Sequence, residues 1–183
     1  FFIATKIAGT ISIIHIAAHQ ILLQFWLFSS FFIDGIAILA NIYVSRWKGL
    51  KDSSKVKWAI RESVYQALFF GLCFTIFYWL AEKWLIDGFT KDVSVQQELK
   101  KVWPLIVWSQ VINALAFIFD GCLFGAGAYR YLRNMMIFIF FIAFVPFAYF
   151  AYIYQKLEFL WAGLILVSLL RLIIGGHKTN KIH

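Results

Sequence analysis

Long apolar stretches alternate along the whole chain with short polar segments, most of which are basic. A helix that crosses the hydrocarbon core of a bilayer needs about 20 mostly apolar residues. Five stretches reach or approach that length, and a shorter sixth stretch at the start is interrupted by Lys6, Gly9 and Thr10. The pattern predicts an all-α polytopic membrane protein with helices over residues 1–14 (the end of a truncated helix), 19–44, 63–81, 102–127, 134–154 and 158–174.

Composition supports a membrane protein and excludes several soluble classes. Of 183 residues, 62% are hydrophobic and 14% are charged, whereas a soluble domain averages about 25% charged residues. Polar residues this few could not cover a soluble globule, so disordered tails, disulfide scaffolds and soluble Rossmann-type enzymes are excluded. Cys73 and Cys122 lie in apolar stretches, and we interpret them as small buried side chains rather than a disulfide.

The basic residues predict the orientation of the chain in the membrane. One set of alternate loops carries 11 Lys and Arg residues, including Arg171, against two acids, Asp52 and Glu62; the other set carries five basic residues and five acids. By the positive-inside rule the first set is cytoplasmic, and the C-terminus lies with it. The net charge of +8 is therefore a marker of topology, and no nucleic-acid partner is expected.

Two acids remain inside the predicted helices, Asp34 and Asp120. A carboxylate near the bilayer centre costs about 2.5–3.5 kcal/mol on insertion scales, and such residues usually face a bundle interior or an aqueous cavity. Asn41 follows Asp34 by seven residues and Asn113 precedes Asp120 by seven, so each pair shares a helix face. These polar stripes predict a central cavity for ion or substrate coupling. The alternative is a pair of hydrogen-bonded acids that only lock helices together.

The two acidic helices share a further pattern. Gln24 precedes Asp34 by ten residues, as Gln110 precedes Asp120, and a glycine follows each acid. Both helices are predicted to run from outside to inside, so the acids should lie at similar depth. Ten residues rotate a helix by about 1000°, which places each glutamine roughly 80° from its aspartate. The match is either chance or the trace of an old duplication.

Several local features carry structural expectations. Pro104 is expected in the first turn of its helix and Pro146 at a mid-span kink. Gly121 and Gly125 form a small-xxx-small pair, which allows two helices to approach closely. We interpret His15 and His19 as interfacial or hydrogen-bonded, because no third metal ligand is nearby. Lys6 is expected to extend to the membrane interface, and no enzyme signature is present.

Two stretches resemble the multidrug and toxic compound extrusion (MATE) family, most closely its DinF-like branch. The first comprises residues 17–26, AAHQILLQFW, with residues 34–40; the second comprises residues 108–121, 125–127 and 131–134. The resemblance implies twelve helices in two lobes around a central cavity, with residues 1–183 as the C-terminal lobe and the N-terminal lobe missing. It also implies a multi-pass protein of the cell's inner or plasma membrane, with the lipid bilayer and the missing lobe as partners.

The resemblance further implies a secondary antiporter, not an enzyme, that exports small, often cationic organic compounds in exchange for inward H⁺ or Na⁺, with no other cofactor. Asp34 and Asp120 fall where the branch often has acids, and three glutamines also match its pattern: Gln20, Gln24 and Gln110. Asn41 stands where a Gln is more usual, and Ser45 where a Gly is more usual.

Two alternatives remain open from the sequence. A flippase for lipid-linked precursors would have a related architecture but would favour a cationic cavity, and the predicted helices offer acids and almost no bases. A membrane scaffold without a substrate would use Gly121, Gly125 and the polar stripes for helix association alone.

Overall fold

The structure, a computed structural model, describes residues 1–182, and within them the fold is entirely helical. The elements are α1 (Phe2–Ile11), α2 (Ile13–Gly49), α3 (Ser53–Leu80), α4 (Glu82–Phe89), α5 (Val93–Gly125), α6 (Tyr129–Ile139), a π-helical turn (Phe140–Phe144), α7 (Val145–Tyr154) and α8 (Leu157–Thr179). In this part of the chain five segments are long and apolar enough to cross a membrane: α2, α3, α5, the continuous segment Tyr129–Tyr154, and α8. The predicted all-α polytopic membrane fold is confirmed.

Helices α2 and α5 form the centre of the bundle and run parallel. A Cβ atom added to Gly121 would collide with the carbonyl oxygen of Ala37, and one added to Gly125 would collide with the carbonyl oxygen of Asn41. Both contacts advance by four residues in the same direction, so the helices are parallel and Asp34 and Asp120 lie at similar height. The close contact predicted for the two glycines is confirmed.

An aromatic cluster ties the other half of α2 and α5 to α3. Trp103 packs edge-on against Phe25, with ring centroids 5.1 Å apart, and its indole N–H donates to the carbonyl oxygen of Tyr78 at 3.1 Å. The Tyr78 hydroxyl donates in turn to the carbonyl oxygen of Phe25 at 2.8 Å. All three side chains are buried, and because each buried polar tip has a partner, the cluster fixes these helices without an unpaired group.

Helix α1 folds back on α2 at Ser12, whose backbone is fully extended. The Ser12 hydroxyl caps α2 by accepting a hydrogen bond from the His15 N–H at 3.3 Å. Phe1 reaches Trp26, with ring centroids 4.7 Å apart, so α1 lies antiparallel along α2. The predicted helix over residues 1–14 is therefore a ten-residue helix followed directly by a turn.

Most helices extend beyond the apolar stretches that predicted them. Residues 50–52 alone separate α2 from α3, and the basic residues of the predicted loop, except Lys51, lie on the ends of these two helices. Asp52 caps α3 by accepting the Lys55 N–H at 3.1 Å. That bond, together with one from the Ser54 hydroxyl, holds the pKa of Asp52 below its usual value. Hydropathy marks only the part of a helix in hydrocarbon, whereas these caps mark its true ends.

The expectation for Pro104 is wrong. Helix α5 begins at Val93, capped by the Asp92 carboxylate, so Pro104 lies in the helix interior and not in its first turn. The early turns of α5 are held by Val95, Leu99 and Val102, which are buried at helical spacing. This spacing, among charged residues, extends the helix well before the apolar stretch begins.

A π-helical turn, Phe140–Phe144, directly precedes the position where the sequence predicts a kink at Pro146. Pro146 lies in the first turn of α7 directly after it. Proline has no N–H to donate and its ring clashes with the preceding turn, and the wider π turn accommodates both effects.

Candidate functional site

The two intramembrane acids line one cavity of about 470 Å³ between α2, α5, α6 and α8. Asp34 and Asn41 come from α2, Asp120 from α5, and Arg171 from α8. We call this space the acid cavity. Three of its residues were predicted from the sequence as site residues: Asp34, Asp120 and Asn41. The fourth, Arg171, was not predicted to belong to the site.

That further residue, Arg171, forms an ion pair with Asp120. Its Nε donates to Asp120 Oδ2 at 3.0 Å, and its Nη2 donates to the same oxygen. The side chains are only 14% and 8% exposed, so the pair is largely shielded from solvent. The guanidinium also lies 4.9 Å from the ring centroid of Phe117, in reach of a cation–π interaction.

The two acids have unequal surroundings. Asp120 Oδ2 is bonded to Arg171, while its Oδ1 is buried without a hydrogen-bond partner among residues 1–182. Asp34 is half-buried, and in the same part of the chain its carboxylate has neither an ion pair nor a hydrogen bond. With all groups ionised, two carboxylates face one guanidinium, so the cavity carries a net negative charge.

The sequence interpretation of Arg171 is corrected here. The sequence predicts Arg171 at the cytoplasmic end, whereas α8 continues to Thr179 and Arg171 lies in its interior. Arg171 is therefore a base inside a membrane-spanning helix, where the sequence predicts almost no bases. The signal was available, because Arg171 falls within the predicted helix over residues 158–174. Without it, ten basic residues still oppose two acids on the predicted cytoplasmic side, so the charge asymmetry remains.

Gln110 and Asn113 lie beside a second, much smaller cavity of about 10 Å³, next to Ser29 and Ser30 of α2. Gln110 donates to the Ile106 carbonyl at 2.9 Å, while Asn113 Oδ1 is buried without a partner among the described residues. The volume is on the order of one water molecule. Phe117 lines both this space and the acid cavity, so the polar stripe of α5 continues past its ring.

A family model described as MatE matches residues 1–150. The chain belongs to the MATE family. Three relatives from Arabidopsis thaliana are similar to it. Protein DETOXIFICATION 43 is 30% identical over 74% of this chain and 26% of its own length; Protein DETOXIFICATION 42 is 26% identical over 87% and 31%; and Protein DETOXIFICATION 44, chloroplastic, is 26% identical over 98% and 34%.

This MATE chain spans about a quarter to a third of the length of these relatives. The family resemblance seen in the sequence is confirmed, and the DinF-like branch stays a prediction. Members of the MATE family are transporters and not enzymes, which confirms the expectation that the chain is not an enzyme.

The structure does not place Gln20 or Gln24 of this MATE chain with the acids. Both glutamines are exposed, and Gln24 lines a different, apolar cavity of about 320 Å³ with Tyr78 and Leu85. Gln24 and Asp34 are ten residues apart on one helix, about 15 Å along its axis. Gln110 is likewise ten residues from Asp120 and lines the small cavity rather than the acid cavity, so none of the three predicted glutamines lines the site.

The histidines of α2 are held by hydrogen bonds, as the sequence predicted. His15 Nδ1 lies 2.7 Å from the Ser12 hydroxyl, and the buried His19 places its Nε2 3.2 Å from the Thr5 hydroxyl. Within residues 1–182 no group of three or more His, Cys, Asp or Glu side chains could hold a metal ion.

Both cysteines are free, in agreement with the sequence, although only Cys122 is buried. Cys73 lies exposed on α3, which corrects the expectation that it is buried.

Proposed function

We propose that this chain is one lobe of a secondary active transporter that exports small organic compounds in exchange for inward H⁺ or Na⁺. The observation that carries the proposal is the acid cavity, where two intramembrane carboxylates face one arginine that is paired with Asp120 alone. Membership of the MATE family and the similarity to proteins named DETOXIFICATION support export as the activity. The proposal includes an inner or plasma membrane location, a cytoplasmic C-terminus, and a second lobe as partner.

Asp34 is the group best suited to take up the coupling ion. Its carboxylate faces the cavity without a partner among the described residues, so a proton or Na⁺ can bind there without first displacing another side chain. An acid that is exposed alternately to the two sides of a membrane can load an ion on one side and release it on the other. A cationic organic compound would compete with that ion for the same negative charge, and this competition couples the two movements.

Asp120 and Arg171 give the ion a way to act on the position of α8. A cation that binds between the two carboxylates competes with the guanidinium for Asp120. Because Asp120 belongs to α5 and Arg171 to α8, loss of their ion pair weakens the contact between these helices. Ion binding and helix movement are then linked through one buried interaction.

An aromatic cavity next to the acid cavity offers space for the organic compound. It has a volume of about 590 Å³, is lined by rings that include Phe1, Trp26 and Phe140, and shares Met136 and Arg171 with the acid cavity. Sites for small molecules typically measure about 300–1,000 Å³ and combine apolar walls with a few polar groups. A flat organic cation can stack on these rings and place its charge toward the carboxylates.

The test is dye export from cells that carry the full-length protein with Asp34→Asn or Asp120→Asn. Each variant is expected to lower export at least about fivefold. Coupling between two binding sites typically changes the affinity for a ligand by about 5- to 150-fold, and the expected loss is the lower end of that range. Glu82→Gln, which removes an acid from the start of α4, is the control and should leave export unchanged. Wild-type export by both aspartate variants at equal expression would reject the acid cavity as the coupling site.

The two alternatives gain less from the structure. A flippase for phosphate-bearing lipids favours a cationic cavity, whereas the only base that lines the acid cavity within the described chain is already paired with Asp120. A scaffold has no use for an unpaired carboxylate facing a cavity. Saturable ligand binding that depends on pH or Na⁺ would separate the transporter from the scaffold.

A further inference from the structure

A separate cavity of about 350 Å³ lies between the first turns of α3 and the end of α8. Its polar residues are Lys57, Arg61, Thr179 and Asn180; its apolar residues are Ile60, Val64 and Phe119. It shares no lining residue with the acid cavity. It lies at the end of the bundle that carries the excess of basic residues, which the positive-inside rule assigns to a membrane surface.

The two cations of this cavity are available to a ligand. Lys57 and Arg61 are four residues apart and therefore share one face of α3. Both are exposed, and within residues 1–182 neither forms an ion pair or a side-chain hydrogen bond. Two other bases at this end are engaged: Lys55 pairs with Asp52, and Lys48 donates to the Ala126 carbonyl at 2.6 Å.

Thr179 supplies an independent sign of a missing ligand. Its side chain is fully buried, it lines the cavity, and its hydroxyl has no hydrogen-bond partner among the described residues. A helical threonine ordinarily donates to a carbonyl in the preceding turn. An unpartnered buried hydroxyl destabilises a fold unless another group satisfies it.

Two positive charges, a hydroxyl and the Asn180 amide together match the oxygens of a phosphate group. The negative end of the α8 dipole opposes an anion here, but it amounts to about half a charge, against two full charges from Lys57 and Arg61. The apolar wall has no use in binding free phosphate. It fits the first carbons of an acyl chain that enters from the membrane beside the headgroup.

We propose that this cavity holds the phosphate group of an anionic phospholipid, bound by Lys57 and Arg61. The inference does not depend on transport, since it uses no residue of the acid cavity.

The test uses the full-length protein, delipidated in detergent and titrated with phosphatidylglycerol, phosphatidylcholine or inorganic phosphate, with the bound species counted by native mass spectrometry. The double variant Lys57→Gln/Arg61→Gln loses two charge-assisted contacts with the phosphate, each worth about tenfold in affinity, and should therefore bind phosphatidylglycerol about 100-fold more weakly. Arg130→Gln/Arg133→Gln, which removes the same charge from the same end of the bundle, is the matched control.

A third variant tests the buried hydroxyl. Thr179→Val keeps the shape of the side chain and should weaken the binding of phosphatidylglycerol about tenfold, because a hydrogen bond to a charged group is lost. An equal loss in the arginine control would show a surface-charge effect and overturn the site. Inorganic phosphate that binds as tightly as phosphatidylglycerol would overturn the assignment to a lipid.

Discussion

Replacement of Arg171 by methionine should destabilise the protein far more than loss of an exposed arginine. The change keeps most of the side-chain volume and leaves the Asp120 carboxylate without its cation. Removal of one partner from a buried ion pair costs about 3–5 kcal/mol, and both side chains of this pair are largely shielded. Protonation of an ordinary aspartate at pH 7 costs about 4 kcal/mol, which sets an upper limit. We therefore expect a loss of about 3–4 kcal/mol.

The double variant Asp120→Asn/Arg171→Met isolates the ion pair. It contains no unpaired charge, so it should be more stable than Arg171→Met alone, by at least about 1 kcal/mol. The free energy of unfolding of the full-length protein is measured by equilibrium titration in mixed detergent micelles. Arg133→Met is the control, since an exposed arginine contributes within about 0.5 kcal/mol.

Two results would refute this reasoning. The first is a cost for Arg171→Met no larger than that of the Arg133→Met control. The second is a double variant whose loss equals the sum of the two single losses, because independent side chains give additive effects.

The helix contacts and caps give further predictions. Gly121→Ala should cost about 1–3 kcal/mol of unfolding free energy, because the added methyl group would collide with the Ala37 carbonyl. The control Gly35→Ala, whose site has open space around it, should be neutral or stabilising. Equal losses in the two variants would contradict the close contact. The Lys55 N–H holds the pKa of Asp52 below its usual value, so the cap should stabilise α3 above the ordinary aspartate pKa and lose that effect as the pH falls through the lower folded-state pKa. A carboxyl titration of Asp52 by NMR that gives an ordinary or raised midpoint would refute this.

The sequence predicted the membrane fold and the depth of the acids because both depend on patterns within single helices. Apolar length locates the helices, and the alternating basic loops predict that α2 and α5 run in the same direction. Gly121 and Gly125 predicted a close contact between helices in the same way, since two small residues at this spacing in a membrane helix are typical of helix–helix interfaces. What the sequence could not supply was the identity of the neighbouring helix.

The pairing of Asp120 with Arg171 shows why the rest required the structure. The two residues are 51 positions apart, and no periodicity links them. Near the end of an apolar stretch an arginine is compatible with either an interface or a buried partner, and only the packing of α8 on α5 decides between them. The same holds for Gln20 and Gln24, which share a helix with Asp34 but lie on its exposed face.

The glycine contacts of α5 constrain how the acid cavity can change shape. At Gly121 and Gly125 the two central helices meet backbone to backbone, so no side-chain rotamers there can rearrange to let one helix slide past the other. The backbones at Asp34 and Asp120, one on each helix, therefore keep a constant separation for as long as this contact persists. Widening of the cavity then requires movement of α6 or α8, and the fixed spacing of the two central backbones limits the size of what can bind between the carboxylates.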